Sequence, residues 1–139
     1  MTENAIAKEV VDAAFRIHTT LGPGLLESVY ETVMAYELDR RGLRIVRQQP
    51  IPVIYENIHV DTGFRADLIV EDKVIVEIKS VEVLGPVHKK HLLTYLRLAD
   101  KRLGLLINFQ VAPIKDGITR VVNGPEDDLH AKPPGRKET

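Results

Sequence analysis

The sequence predicts an α/β domain in which helices flank a mixed β-sheet. Two helix-like segments open the chain, strand-like runs follow them, and a third helix-like segment stands before the last strands. That order is typical of a layered α/β domain. The length of 139 residues suits a single domain with a core of its own.

Both N-terminal helices are predicted from apolar residues that recur at three- and four-residue steps. The first helix covers about residues 4–20 and ends at the Leu-Gly-Pro-Gly stretch of residues 21–24. The second helix covers about residues 26–41, and Gly42 is placed to cap its C-terminus. Two helices therefore precede the strands.

Apolar and alternating runs predict the strands that follow. Pro50 and Pro52 indicate an edge or a kink, and not a central strand, for the run that contains them, because proline cannot donate to a central ladder. Pro86 suits the first position of the third helix. In chain order, the predicted elements are strands 43–48, 50–55 and 58–61, a hairpin over 66–78, a helix over 86–99, and strands 102–109 and 118–122.

The domain is expected to span residues 1–123. Residues 124–139 contain almost no apolar side chains and are rich in proline and charge. Such a segment cannot bury enough surface to offset the entropy of ordering it. We therefore predict a disordered C-terminal tail.

Composition excludes several functional classes. The chain has no cysteine, so disulfide frameworks and thiolate chemistry are excluded. No apolar run approaches the roughly 18–20 residues that cross a bilayer, and the N-terminus lacks the apolar core of a signal peptide. We expect a cytoplasmic protein without a membrane partner. The net charge of −1 provides no global attraction to nucleic acid.

Residues 66–79 predict a β-hairpin with one apolar and one polar face. The apolar face is formed by Ala66, Leu68, Val70, Val74, Val76 and Ile78. Side chains alternate along a strand, so the faces match only if Leu68 pairs with Val76 and Val70 with Val74. Residues 71–73 then form a three-residue loop.

This register places Asp67 directly opposite Glu77, and Lys79 on the same face. Opposed carboxylates are unfavourable in a sheet unless a positive charge lies between them. A divalent cation, assisted by Lys79, is the simplest candidate. The alternative is a solvent-exposed face with an ordinary cross-strand salt bridge.

Asp67, followed after nine residues by Glu77-x-Lys79 on the next strand, resembles the signature of the PD-(D/E)xK nuclease superfamily. The resemblance implies a restriction-endonuclease-like fold with an αβββαβ core. It also implies that Asp67 and Glu77 hold Mg²⁺ or Mn²⁺, with the backbone carbonyl of Ile78 as a third ligand. Lys79 would orient or deprotonate the attacking water. Glu27, Asp67, Glu77 and Lys79 are the predicted catalytic residues.

The segment Gly-Leu-Leu-Glu-Ser-Val-Tyr at residues 24–30 resembles the signature of the small GxxExxY proteins of that superfamily. This likeness extends over about residues 5–123. It implies that Glu27 is a helix-borne acid that approaches the metal, whereas its position alone also fits a first-turn acid stabilised by the helix dipole. Tyr30 is predicted to be a core residue whose hydroxyl contacts that acid.

Gln48 matches a glutamine in a Gln-x-Pro-x-Pro phrase of the same family. The residue either fixes the edge strand or contacts substrate, and the sequence favours neither role. We include Gln48 among the predicted substrate-binding residues.

The third helix is predicted to bind phosphates of a nucleic acid. Residues 84–105 contain five basic residues and one acid, although a solvated helix face has the same appearance. His91 and Tyr95 stand where the RecB-like branch of the superfamily has Gln-x-x-x-Tyr, so a histidine replaces the glutamine. Its imidazole can still donate one hydrogen bond. The substrate-binding residues predicted on this helix are His88, Lys89, Lys90, His91, Tyr95 and Arg97.

The leading hypothesis is a stand-alone, Mg²⁺-dependent nuclease that hydrolyses phosphodiester bonds of DNA or RNA. A first alternative is a nuclease-fold domain without turnover that binds nucleic acid or a protein partner. A second is an oligomeric scaffold in which the apolar strand around residues 51–55 forms the interface. Association into a homo-oligomer is also a hypothesis for the nuclease itself. A zinc site at His88 and His91 has no evident third ligand.

Overall fold

The computed structural model describes residues 1–126 and residue 129. The helices and strands begin and end close to the predicted positions, although the short predicted strands merge into longer ones. In chain order they are α1 (Glu3–Leu21), α2 (Glu27–Arg40), β1 (Ile45–Tyr55), β2 (Ile58–Val70), β3 (Val74–Lys79), α3 (Pro86–Ala99), β4 (Leu103–Asn108) and β5 (Ile118–Val122).

The five strands form one mixed sheet in the order β1-β2-β3-β4-β5. Neighbouring strands are antiparallel except β3 and β4, which run parallel because α3 connects them. β1 lies at an edge, which agrees with Pro50 and Pro52. The predicted α/β fold with a mixed central sheet flanked by helices is confirmed.

Each face of the sheet carries its own apolar cluster. Helices α1 and α2 pack with Leu68, Val70, Val76 and Ile78 on one face. Helix α3 packs on the other face through Leu92 and Leu96, which contact Ile75 and Leu106. The side chains of β3 are almost fully buried as far as Ile78, as expected for a central strand covered on both faces.

Gly104 allows α3 to lie close to the sheet. A Cβ atom at this position would lie 2.9 Å from side-chain atoms of Leu92, which is fully buried. Only a glycine leaves that space free. The position of α3 over β4 therefore depends on the absence of a side chain at residue 104.

The chain after β5 packs partly on the domain. Arg102 donates from Nε to the carbonyl oxygen of Asn123 at 2.8 Å, and the Leu129 side chain is fully buried in the α1–α2 cluster. The rest of the predicted disordered tail falls on residues 127, 128 and 130–139, which lie outside the described residues. Within the described part, no helix is long and apolar enough to span a membrane.

Candidate functional site

Asp67 and Glu77 lie where the regular pairing of β2 with β3 ends. Leu68 pairs with Val76 and Val70 with Val74, so the predicted register and three-residue loop are confirmed. At the next step, Asp67 N donates to Glu77 Oε2 at 2.8 Å, and Ile78 N donates to Asp67 Oδ2 at 2.8 Å. Each carboxylate thus accepts a hydrogen bond from the main chain of the other strand.

A coupled irregularity in β1 and β2 places Asp67 in this position. The ladder pairs Arg47 with Leu68 and Gln49 with Ala66 but skips the step between them, where Gln48 has a φ of 52°. Backbone in this left-handed region is unusual for a non-glycine residue and reverses the alternation of the strand. Asp67 lies opposite that step.

The same irregularity corrects one prediction. Ala66 was expected to share the apolar face of Leu68, but it packs in the α3-side cluster with Ile51. Regular alternation would have put Ala66 beside Leu68, so the face inverts between these two residues. The prediction is therefore wrong for Ala66 and correct for the other five residues of the predicted apolar face. The opposite face of the hairpin is not wholly polar, because Ile75 packs in the α3-side cluster.

Burial raises the pKa of both carboxyl groups, of which Glu77 is buried and Asp67 half-buried. Burial raises the pKa of Glu77 to about 8, the charge of Asp67 adds to the effect, and the Asp67 N–H and Lys79 oppose it. Burial also raises the pKa of Asp67, against the hydrogen bond from Ile78 N. Metal-free, the pair therefore holds a proton near neutral pH.

Helix α3 closes the pocket beside these carboxylates. A small cavity of about 20 Å³ is lined by Glu77, Lys79, Leu92 and Leu106, and by three predicted residues of α3: His88, His91 and Tyr95. This volume is enough for roughly one water-sized species. The charges of Glu77 and Asp67 also act on Tyr95, whose pKa is raised mainly by burial.

Glu31 of α2 is the site residue that sequence analysis missed. Its side chain is buried, and its charge raises the pKa of both Asp67 and Glu77. Glu31 Oε2 accepts hydrogen bonds from Arg47 Nε and Nη2, both at 3.2 Å. Glu31 Oε1 accepts from Gln48 Nε2 at 2.7 Å, and the same nitrogen lies 3.4 Å from Asp67 Oδ1.

These contacts identify what Gln48 does in the fold. Its amide bridges the α2 acid to the β2 carboxylate, while its own backbone makes the irregular step. Of the two roles left open by the sequence, fixing the strand is the one with contacts in the structure. The signal for Glu31 was present in the sequence, because it shares an otherwise apolar helical stripe with Ala35 and Leu38.

Glu27 lies one turn before Glu31 and is exposed. Its Oε2 accepts a hydrogen bond from Ser80 N at 3.1 Å, and Ser80 Oγ donates to the carbonyl oxygen of Leu25 at 2.8 Å. Glu27 therefore fastens the start of α2 to the chain directly after Lys79. A catalytic role for Glu27 stays a prediction.

Tyr30 is a core residue, as predicted, and its ring stacks on Phe109 with centroids 4.4 Å apart. The predicted contact between its hydroxyl and Glu27 is wrong. The hydroxyl donates to the carbonyl oxygen of Gly22 and accepts from Leu25 N. The hydroxyl thereby links Gly22, where the backbone has a φ of 69°, to Leu25 in the segment between α1 and α2.

The remaining predicted basic residues point away from the carboxylates. Lys89 and Lys90 are exposed and line a different groove, beside β5. Arg97 is exposed near the C-terminal end of α3. The structure thus brings His88, His91 and Tyr95 to Glu77 and Lys79 but leaves these three cations outside that pocket.

Comparison with known proteins identifies the family. A family model for the PD-(D/E)XK nuclease superfamily matches residues 4–121. The chain belongs to this superfamily. No curated protein and no solved structure matches the chain significantly.

The residues present fit the divalent ion that nucleases of the PD-(D/E)XK superfamily usually use. Asp67 and Glu77 each commit one oxygen to a main-chain N–H, which leaves Glu77 Oε1 and, beside the 3.4 Å contact from Gln48 Nε2, Asp67 Oδ1 for a further ligand. Within residues 1–126 and 129, no group of three or more His, Cys, Asp or Glu side chains could hold a metal. A pair of carboxylates suits Mg²⁺, which commonly binds through one or two carboxylates and retains waters.

The raised pKa of Glu77 predicts how metal-free stability depends on pH. The folded protein keeps this proton up to about pH 8, whereas the unfolded chain releases it near pH 4.5. The folded state binds more protons in this interval, so the free energy of unfolding should fall as pH rises through it. Urea unfolding with chelator at about pH 5.5, 7 and 8.5 measures the slope.

Glu77→Gln should flatten this dependence, since glutamine does not titrate. Glu82→Gln is the matched control, because Glu82 is exposed and lies outside the pocket. The control should retain the wild-type slope. A wild-type protein whose stability is unchanged over the interval would contradict the account, as would a Glu77→Gln variant that keeps the slope.

The hydrogen bonds of Glu31 predict that two arginine variants differ in their free energy of unfolding. Arg47→Ala should lower the free energy of unfolding by about 1–3 kcal/mol, because the buried Glu31 carboxylate loses two hydrogen bonds. Arg44→Ala removes an exposed ion pair with Glu71 and should cost no more than about 1 kcal/mol. Chemical denaturation compares the two variants, and equal losses would show that Glu31 does not depend on Arg47.

Proposed function

We propose that this protein is a divalent-metal-dependent nuclease that hydrolyses phosphodiester bonds of DNA or RNA. The observation that carries the proposal is the reciprocal pair of Asp67 and Glu77, beside Lys79, in a chain of the PD-(D/E)XK nuclease superfamily. Membership of the GxxExxY group and a cytoplasmic location are finer parts of the same proposal.

Asp67 and Glu77 would hold Mg²⁺ or Mn²⁺, with the backbone carbonyl of Ile78 as a further oxygen ligand. When bound, the ion would polarise the scissile phosphate and lower the pKa of a coordinated water. The carboxylate pair would give up the proton that Glu77 holds in order to bind the ion. The energy that disfavours two adjacent carboxylates in the metal-free protein therefore favours cation binding.

Lys79 would act on the attacking water and on the charge that develops at phosphorus. Lys79 lines the same pocket as Glu77, and its charge already acts on both carboxylates. A mobile point charge with three donors suits both tasks. Gln48 and Glu31 would keep Asp67 in position, and Glu27 would hold the chain that follows Lys79.

His88, His91 and Tyr95 would contact the scissile phosphate or its water. All three line the small pocket with Glu77 and Lys79. Each side chain has a polar hydrogen to donate, so His91 can replace the glutamine expected at its position. The substrate would therefore enter between α3 and the end of β3.

The test is cleavage of labelled single- and double-stranded DNA and RNA with Mg²⁺ or Mn²⁺, with and without chelator. The wild type should cleave at least one of these substrates, and chelator should stop it. Lys79→Ala should lower the rate at least about 100-fold, the usual size of a positioned proton-transfer contribution. Lys115→Ala, an exposed lysine outside the pocket, should cleave at the wild-type rate.

Two outcomes would contradict the proposal. One is a wild-type protein that cleaves none of the four substrates with either ion, which leaves a nuclease fold without turnover. The other is a Lys79→Ala preparation that cleaves as fast as wild type.

A further inference from the structure

The polar residues of α3 divide between two sides of the helix. His88, His91 and Tyr95 line the carboxylate pocket, together with Leu92. Lys89 and Lys90 line a groove on the other side, together with Pro86 and Leu93. At 3.6 residues per turn these two sets point in roughly opposite directions, so no single ligand atom contacts both.

The second groove lies between α3 and the edge strand β5. It has a volume of about 510 Å³, and Leu93, Val121 and Val122 form its apolar wall. Arg120 also lines it but already contacts Glu126 at 2.8 Å and Asn4. Lys89 and Lys90 are exposed on its rim, and α3 contains no acidic residue. The charge available to a ligand in this groove is therefore that of the two lysines.

The distance between the two sites follows from the strand order. The carboxylates lie at β2 and β3, and the groove lies at β5, with β4 between them. Adjacent strands are about 4.8 Å apart, so β5 lies about 10 Å from β3, and the register places Val121 two residues from the row of Glu77, which adds about 7 Å along the strands. The direct separation is therefore about 12 Å, and a backbone that crosses the outer side of α3 takes a longer path. One strand of a duplex advances about 3.4 Å per nucleotide, so the two sites are at least about three nucleotides apart.

Exposed side chains connect the two sites across the outer surface of α3. Lys90, Thr94 and Arg97 are exposed at positions that lie together on the outward side of the helix, and exposed His91 borders both this surface and the pocket. A backbone that leaves the carboxylate pocket over His91 would cross this outward side beside Lys90 before it reaches Lys89, with Arg97 about two turns further along the helix. The cations are spaced along a path and not gathered at one point.

We propose that the Lys89–Lys90 groove is a second phosphate-binding site, which holds the nucleic-acid backbone at least about three nucleotides from the phosphate at Asp67 and Glu77. The inference rests on the proposed function for the identity of the first site. A chain of regularly spaced phosphates fits a divalent ion held by Asp67 and Glu77 and a separate pair of lysines on the other side of α3. The second site makes binding depend on substrate length.

Binding of fluorescent oligonucleotides measures this dependence without turnover. Anisotropy titrations with Ca²⁺ in place of Mg²⁺, an ion with the same preference for oxygen ligands, would compare single strands of about 2, 4, 6, 8 and 12 nucleotides at several salt concentrations, and a gel of each sample would verify that the strands stay intact. Wild-type affinity should rise steeply between the short strands and those long enough to reach both sites. Lys89→Gln with Lys90→Gln should remove this rise and bind the shortest strands like wild type.

The salt dependence gives a second readout. Loss of two phosphate contacts should lower the slope of log K against log salt by about 1.4 for single strands. Lys8→Gln with Lys115→Gln removes the same net charge outside α3 and is the matched control. The control should keep both the length dependence and the slope.

The outcomes separate this inference from the proposed function. Suppose the wild type binds long strands more tightly than short ones but cleaves no substrate in the cleavage assay with Mg²⁺ or Mn²⁺. That result would contradict the proposed function and support the second site. Affinity that does not depend on length, or equal losses in the two double variants, would overturn the second site. Binding of an acidic peptide such as oligoglutamate as tightly as the longest oligonucleotide would also overturn it, in favour of an acidic protein partner.

Discussion

The exchange of main-chain hydrogen bonds between Asp67 and Glu77 determines most of the chemistry at this site. Each carboxylate accepts a main-chain N–H of the other strand, as a carbonyl oxygen would in a regular ladder. These hydrogen bonds hold the two negative charges together although the charges repel each other. Burial makes this arrangement costly when both are ionised. The pair must therefore bind a proton or a cation, and the fold determines where that positive charge lies.

Three elements converge on this pair, and each contributes a different property. Helix α2 brings Glu31, which Arg47 neutralises in part and which Gln48 links to Asp67. Helix α3 brings His88, His91 and Tyr95 over Glu77, and its close approach requires Gly104. The chain after β3 is tied to α2 through Ser80. The pocket is thus set by contacts that lie outside it.

The alternation of residues 66–79 was sufficient to predict the hairpin register, because a one-residue slip would have moved its whole apolar set to the other face of the sheet. Alternation could not predict the inversion at Gln48, since nothing in the sequence marks a non-glycine residue with φ of 52°. Glu31 was missed because the motif directed attention to Glu27, one turn away. Helical periodicity could have placed Lys89 and His88 on different sides of α3. The prediction rested on the composition of residues 84–105 and therefore treated them as one binding surface.

The central claim is that Asp67 and Glu77 share one divalent ion. Anomalous diffraction from crystals soaked in Mn²⁺ tests this most directly, because Mn²⁺ is located without reference to activity. We expect one anomalous peak within coordination distance of both carboxylates, at roughly 2.0–2.4 Å from their oxygens, and no peak in Asp67→Asn crystals. A peak elsewhere, or none at saturating Mn²⁺, would contradict the account.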